Sequence, residues 1–393
     1  MSWPEVPIGE IFEVARGGSP RPIDQFITDD PDGLNWVMIG DATASDKYIN
    51  ETKKKIRPEG LKKTREVEPG DFILSNSMSF GKPYIMGIKG CIHDGWLLLR
   101  PQSDQIHPDY FYHLLGSEPI YQKFASRAAG ATVKNLNSGI VRDVEIPLPP
   151  LEEQKRIAGI LDQAAELCRL RTRALDKLNT LGQAIFHEMF GDVGNNSLSL
   201  PTSTVGELCH RVSVGVVIKP ASYYKDNGIP AIRGTNIKET GIDLTDLVFF
   251  SPEANDGPLR KSKVSAGDVL AVRSGRPGLA AIVPSELDGA NCIDVLIACP
   301  DRTKLLSVYL RDFLNSSDGR QLVLSGSVGQ VQKHFNVKSL SEAEIPLPTL
   351  DCQQRYADRV AACEPQRQEL TAALCAQQAL FASLQHRAFR GEL

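Results

Sequence analysis

The chain has 393 residues, of which 41% are apolar and 23% charged, with a net charge of −4. This is the balance of a folded globular protein, long enough for two or three domain cores. It counts against an overall basic nucleic-acid binder: residues 1–146 carry 17 basic and 20 acidic side chains, 147–197 carry 6 and 7, 198–345 carry 16 and 16, and 346–393 carry 5 and 5. Positive charge at any binding surface must therefore be local, or come from a partner.

In chain order, residues 1–9 lack the basic and apolar regions of a secretion signal. Arg16-Gly-Gly-Ser-Pro-Arg21 follows as a turn whose glycines are expected to let backbone approach a duplex, with Arg16, Ser19 and Arg21 as contacts. Asp32, in a Pro-Asp-Gly turn, has with Glu51 and Lys53 the outline of a Mg²⁺ nuclease core, in which two carboxylates hold the metal and a lysine polarises the reaction centre. Lys53, Lys54 and Lys55, with Lys62, Lys63 and Arg65, form a basic cluster suited to phosphates. A strand at 72–74 follows a Gly-Asp turn and releases Ser75-Asn-Ser-Met-Ser-Phe-Gly-Lys82. Asn76, Ser77 and Lys82 thus leave a strand end, where polar side chains can enter a groove. Residues 96–99 read as a strand and 110–115 as a helix. Thr132-Val-Lys-Asn135 places Lys134 and Asn135 ahead of the next long element. Pro147 and Pro149 hold the chain extended, and a long helix begins near Leu151 with Glu152 and Glu153 in its first turn, where negative charge suits the helix dipole.

The second half repeats this order. Glu145-Ile-Pro-Leu-Pro-Pro-Leu151 returns as Glu344-Ile-Pro-Leu-Pro-Thr-Leu350, and Gly130-Ala-Thr-Val-Lys134 as Gly329-Gln-Val-Gln-Lys333, both at a shift of 199 residues. Pro69-Gly-Asp-Phe-Ile-Leu74 matches Ala266-Gly-Asp-Val-Leu-Ala271, Cys91-Ile-His-Asp94 matches Cys292-Ile-Asp294, and Ile8-Gly-Glu10 matches Val205-Gly-Glu207. The chain is two copies of one unit, roughly 1–199 and 200–393. The second copy adds its own DNA-contact candidates. They are Arg233 and Asn236 in Arg233-Gly-Thr-Asn236, then Arg273, Ser274 and Arg276 after a strand at 269–272. Ser327, Gln330, Gln332 and Lys333 follow, in the segment matching 132–135.

The long helices share a seam of 3.5-residue spacing. In the first it runs through Ile157, Leu161, Leu175, Leu178 and Ile185; in the second through Val360, Leu370, Leu374, Phe381 and Leu384. The expected fold is α+β: two pseudo-symmetric mixed α/β recognition domains, 1–146 and 198–345, separated by two long antiparallel coiled-coil helices within 147–197 and 346–393. Pro365 falls inside the second helix and should kink or restart it.

Ile146-Pro-Leu-Pro-Pro-Leu-Glu-Glu-Gln-Lys-Arg-Ile-Ala-Gly-Ile-Leu161 resembles the central conserved segment of type I restriction-modification specificity subunits. Phe186-His-Glu-Met-Phe-Gly-Asp192 resembles its end, and 345–350 with Ala388-Phe-Arg-Gly-Glu-Leu393 the distal conserved segment. The resemblance implies that each mixed domain reads one half of a split double-stranded DNA target. It also implies that the helices fix the gap and dock two methyltransferase subunits, with a restriction and motor subunit joining for cleavage. S-adenosylmethionine belongs to the methyltransferase partner, and this chain itself is expected to hold no cofactor, metal or catalytic residue. Half-sites about one helical turn apart, roughly 34–36 Å, are expected. The chain departs from the pattern at Asp351-Cys-Gln-Gln-Arg355, where the first copy has Glu152-Glu-Gln-Lys-Arg156, and at Pro365.

Motifs of an enzyme are missing from the sequence. There is no Gly-x-Gly-x-x-Gly, phosphate-binding loop or His-Glu-x-x-His, no Asn-Pro-Pro-aromatic segment, and no Cys-x-x-Cys pair among the eight cysteines. The scattered cysteines point to a reducing cytoplasm, and no apolar run approaches the 18 residues or so of a membrane span. Two alternatives remain at this point: the nuclease of Asp32, Glu51 and Lys53, and a scaffold that joins protein partners without touching DNA.

Overall fold

The computed structural model describes residues 3–76, 81–128, 136–325 and 335–393. The chain divides into two compact units, one of residues 1–171 with 373–393 and the other of residues 172–372. Each long helix is therefore shared, its first half belonging to one unit and its second half to the other.

In the first unit, five strands lie in the order Phe12–Arg16, Trp96–Pro101, Phe72–Ser75, Pro83–Met86, Tyr48–Ile49. A second five-stranded sheet runs Ile27–Thr28, Lys54–Ile56, Leu34–Val37, Gly90–Ile92, Arg65–Val67. The helices Pro108–Leu115, Glu118–Ala128 and Ser138–Arg142 follow in sequence. Alternate residues of the first sheet, such as Phe72, Leu74, Leu97 and Leu99, meet Tyr110, Phe111 and Leu114 in one core. The second unit repeats the plan with two four-stranded sheets. One is ordered Cys209–Val214, Val295–Pro300, Val269–Val272, Ala280–Ile282, and the other Tyr224–Lys225, Val248–Phe250, Ile229–Arg233, Asn291–Ile293. The predicted strands at 72–74, 96–99 and 269–272 and the helix at 110–115 are all present.

The duplication extends to individual hydrogen bonds. Gln154 is fully buried; its carbonyl accepts from the His107 amide at 2.9 Å, and its amide donates to the carbonyls of Gln105 (3.0 Å) and Pro149 (2.9 Å). Gln353 is equally buried and does the same with Leu306 (2.8 Å), Lys304 (3.1 Å) and Pro348 (2.9 Å). Each glutamine satisfies backbone groups that a burial without partners would penalise. The departure at 351–355 leaves this glutamine in place. Tyr110 and Tyr309 likewise donate to the carbonyls of Pro147 and Pro346. The turns before strands Phe72–Ser75 and Val269–Val272 hold Gly70 and Gly267 at φ +93°, a conformation side chains resist.

The first long helix is Leu151–Phe190, and the second is interrupted: Leu350–Ala361, then Glu364–Phe389. Pro365 stands in the first turn of the restarted helix, where its missing N–H costs nothing. All ten candidate seam residues are buried or half-buried. At the ends, however, the seam meets globular cores and not only another helix. Ile157 and Leu161 pack with Phe381, Leu384 and Ala388 in the core of the first unit, and Ile185 and Tyr356 join that of the second. Arg156 donates to the Leu393 carbonyl in the first unit, and Arg359 pairs with Glu188 at 3.0 Å in the second, so the helices run antiparallel.

Polar clusters fasten helix to domain differently in the two units. In the first, Asp162 accepts from Lys47 Nζ at 2.6 Å and lies 2.7 Å from His113 Nε2, while Lys47 also reaches Asp109 at 2.9 Å. In the second, Asp312 stands where the 199-residue shift places His113. It pairs with Arg311 at 2.5 Å and accepts from the Tyr356 hydroxyl at 2.6 Å. Burial, reinforced by the Asp312 carboxylate, pushes the Tyr356 phenol far above its ordinary range.

Candidate nucleic-acid interface

In an antiparallel sheet, the end of one strand lies beside the start of its partner. In the first unit Arg16 is paired with Leu97 and Ser75 with Trp96. The loops 16–21 and 93–95 and the strand end at Asn76 therefore emerge together. Asp94 ties them: its carboxylate accepts from Ser19 Oγ at 2.8 Å and meets Arg21 at 3.5 Å, while its carbonyl accepts from Arg16 Nε (3.2 Å) and Asn76 Nδ2 (2.7 Å). The Ser19 hydrogen bond holds the Asp94 carboxyl below the usual carboxylate range, with His93 and Arg21 adding to it against partial burial. The Leu136 amide donates to the Asn76 carbonyl at 2.9 Å, bringing Leu136 to the same place.

The basic cluster adjoins this edge. Arg65 Nε reaches the Arg16 carbonyl at 3.5 Å, and Gly18 lies against the Lys63 carbonyl. Lys53, Lys54, Lys62 and Lys63 are exposed and, among the described residues, take part in no ion pair; Lys82 is exposed over the Tyr84 ring at 5.0 Å. Lys55 is committed elsewhere, donating to the Pro31 carbonyl at 2.6 Å.

Two expectations need correcting. The glycines of Arg16-Gly-Gly do not free backbone for a ligand. A Cβ on Gly17 would lie 2.1 Å from the His93 carbonyl oxygen, and one on Gly18 2.7 Å from that of Lys63, so both glycines are required by the protein's own packing. The nuclease outline finds no support. Asp32 sits in a turn with its amide on Asp30 Oδ1, Glu51 follows the strand Tyr48–Ile49, and among the described residues no three His, Cys, Asp or Glu side chains could share a metal.

The second unit builds its edge on the same strand ends. Val214 pairs with Leu296 and Val272 with Val295, so Gly215, Arg273 and Asp294 converge. Arg273 pairs with Asp294 and donates through Nε to the Phe335 carbonyl at 3.4 Å. Arg233 ends a strand whose parallel neighbour ends at Ile293, and it pairs with Asp246 at 2.8 Å; Arg276 pairs with Glu239 at 2.5 Å. Ser274 is exposed between them. Asn236 is 2% exposed and accepts from the Arg233 amide, as Asp41 accepts from Met38 in the first unit; both are local caps. Asn76, at 4% exposed, is similarly a brace for the edge. Ser77, Lys134, Asn135, Ser327, Gln330, Gln332 and Lys333 lie outside the described residues.

Sequence reasoning missed Asp94 and Asp294 as the anchors of the two edges, although both follow the repeated Cys-Ile pair. It also missed Val217 and Ile218, which occupy in the second unit the place of 19–20 in the first. The signal was available: an apolar pair directly after a Gly-Val matching Gly17-Gly18.

Residues 2–180 match the family model for the type I restriction modification DNA specificity domain. The specificity subunit of the EcoBI type I restriction enzyme of Escherichia coli is 26% identical, over 100% of this chain and 86% of its own. The putative MjaX specificity subunit of Methanocaldococcus jannaschii is also 26% identical, over 92% and 87%. Among solved structures, a chain from work on complex assembly and conformational transition of the type I R-M system aligns with TM-score 0.56, 21% identity and coverage of 100% and 98%. The type I S subunit from M. genitalium aligns at 0.51 and 15%, over 99% and 96%. These two share the fold.

Proposed function

We propose that the chain is a specificity subunit of a type I restriction-modification system, as its similarities suggest, and that it reads a two-part DNA target through the sheet-end loops of its two units and hands that DNA to methyltransferase subunits. The observation that carries the reading is the convergence, at the same strand ends of both copies, of loops whose side chains differ while the scaffold hydrogen bonds are kept. Gln154 and Gln353 hold backbone groups at equivalent positions. Yet the edge loops carry Arg16, Ser19 and Arg21 in one copy and Val217, Ile218 and Lys219 in the other. Such a pattern suits two different half-sites read from one framework.

In this reading 1–146 and 198–345 are the recognition domains, and 147–197 and 346–393 the helical spacer. Two methyltransferase subunits, carrying S-adenosylmethionine, dock along the helices, and a restriction and motor subunit joins them in the cytoplasm. The chain supplies no chemistry of its own, and its partners supply phosphate contacts beyond its few unpaired lysines. No helix among the described residues is long and apolar enough to cross a membrane. The test is an exchange. Replacing residues 1–145 by those of a relative with another target should change one half of the methylated site and leave the other. Methylation of the original site, or a change in both halves, overturns the reading.

A further inference from the structure

The edge of the second unit ends in an exposed apolar tip. Ile218 is 81% exposed, the highest of any large apolar side chain among the described residues, and Val217 beside it is 49% exposed. The tip is not a loose tail. Val216 is 9% exposed, donates to the Cys292 carbonyl at 2.8 Å and accepts from the Asp294 amide at 3.1 Å. On the other side Lys219 takes φ +44°, and its carbonyl accepts from both the amide and the hydroxyl of Ser222. Fixed on both flanks, two aliphatic side chains are held in water beside Asp294 and its partner Arg273.

A lone exposed apolar side chain is ordinary on a protein surface, but here two are held side by side at the strand-end edge. Two side chains are too small a patch for a stable protein interface. The neighbours point elsewhere: Lys219 has no ion pair among the described residues, and Arg273 lies at the same strand ends. The apolar feature a DNA duplex offers at base level is the thymine C5-methyl in the major groove. We propose that Val217 and Ile218 seat against a thymine methyl group in the half-site read by the second unit, with Lys219 on an adjacent phosphate. This rests on the DNA-reading function argued above and names the chemistry of one of its contacts. The first unit has no counterpart, because polar Ser19, joined to Asp94, fills the equivalent loop.

The experiment uses the full chain with its methyltransferase partner and the target found by methylome sequencing. Each thymine of the target is replaced in turn by deoxyuridine, which lacks only the methyl group. One replacement, in the half governed by the second unit, should weaken binding about four-fold, the worth of one buried methyl. Ile218→Ser should weaken binding to the unmodified target by a similar factor, and should make that deoxyuridine silent. Because Ile218 is exposed, the variant should melt with the parent protein. The proposal is overturned if no deoxyuridine matters, or if its effect and that of Ile218→Ser simply multiply. It is also overturned if Ile218→Ser weakens all duplexes alike while abolishing the fluorescence rise of 2-aminopurine at the site, since the tip would then be a wedge between base pairs. Failure of the DNA-reading function would look different: target and random duplexes would bind equally, whatever stands at 218.

Discussion

In the first unit the lysines beside the reading edge, Lys53, Lys54, Lys62 and Lys63, stand exposed with no carboxylate partner among the described residues, whereas in the second Arg233, Arg273 and Arg276 are held by Asp246, Asp294 and Glu239 respectively. A free lysine gains a phosphate by releasing counterions alone. A paired arginine must first surrender a carboxylate, so its net gain is smaller. The units thus share a framework and differ in what they bring to a duplex: the first brings charge, and the second brings ordered arginines and an apolar tip. One fold can read two sequences this way because the exposed tips of the strand-end loops vary while their anchors, such as Asn76 and Val216, stay buried in the framework.

The largest effects should come from the shared framework and be the same in both units. Gln154→Ala and Gln353→Ala each remove three hydrogen bonds from a fully buried side chain to the backbone, and each should lower stability by about 2–5 kcal/mol. Denaturant unfolding followed by probes in each unit checks this; a variant that costs one unit and spares the other breaks the equivalence. Gly17→Ala and Gly215→Ala come next. Their Cβ atoms would lie 2.1 Å from the His93 carbonyl oxygen and 2.5 Å from that of Cys292. Both obstacles are backbone, so the loops must shift at a cost of about 1–3 kcal/mol, and discrimination should be lost in one half of the target for each variant.

The charge difference gives a third test. Replacing Lys53, Lys54, Lys62 and Lys63 together by Ala should weaken binding to all duplexes and flatten the dependence of log affinity on log salt by about 0.9 for each lost phosphate contact. Replacing Arg233 and Arg276 should flatten it less, because their carboxylates already compete. Equal slopes for the two sets would remove the contrast between the edges.

Much of this was legible in the residues. The repeat at a shift of 199 marked both copies, and 3.5-residue spacing picked out ten helix residues that are all buried or half-buried, because periodicity and local sequence encode them directly. The break at Pro365 was legible for the same reason: proline acts through its own ring. What escaped notice depends on pairing at a distance. Nothing local says that Asp94 will brace Ser19, 75 residues earlier, or that Gly17 is needed against His93. Arg233, Arg273 and Arg276 read as free cations until the fold brought a carboxylate to each. Asn76 and Asn236 read as base contacts because polarity after a strand end is the same whether the side chain points outward or caps a turn.

The smallest expected effect separates the two helix junctions by pH. His113 is 4% exposed, and burial holds its imidazole pKa below the ordinary value of about 6.5, against the opposing pull of Asp162. Lys47 and Asp109 complete the charges around it. As pH falls below about 6.5 the unfolded chain binds a proton at His113 that the folded chain refuses, so stability declines until the lowered folded value is passed and is flat beyond it. The slope for one such group cannot exceed about 1.4 kcal/mol per pH unit. His93, also lowered by burial, acts in the same direction within the same unit. In the second unit Asp312 occupies the position of His113, so that junction lacks this particular proton. Unfolding followed in each unit between pH 7 and 5 should show His113→Asn reducing the acid sensitivity of the first unit and leaving the second as it was. An unchanged slope in the first unit would mean that folding leaves the proton affinity of His113 as it was, and a steeper decline in the variant would mean that Asp162 keeps His113 charged in the fold, an ion pair strengthened by acid.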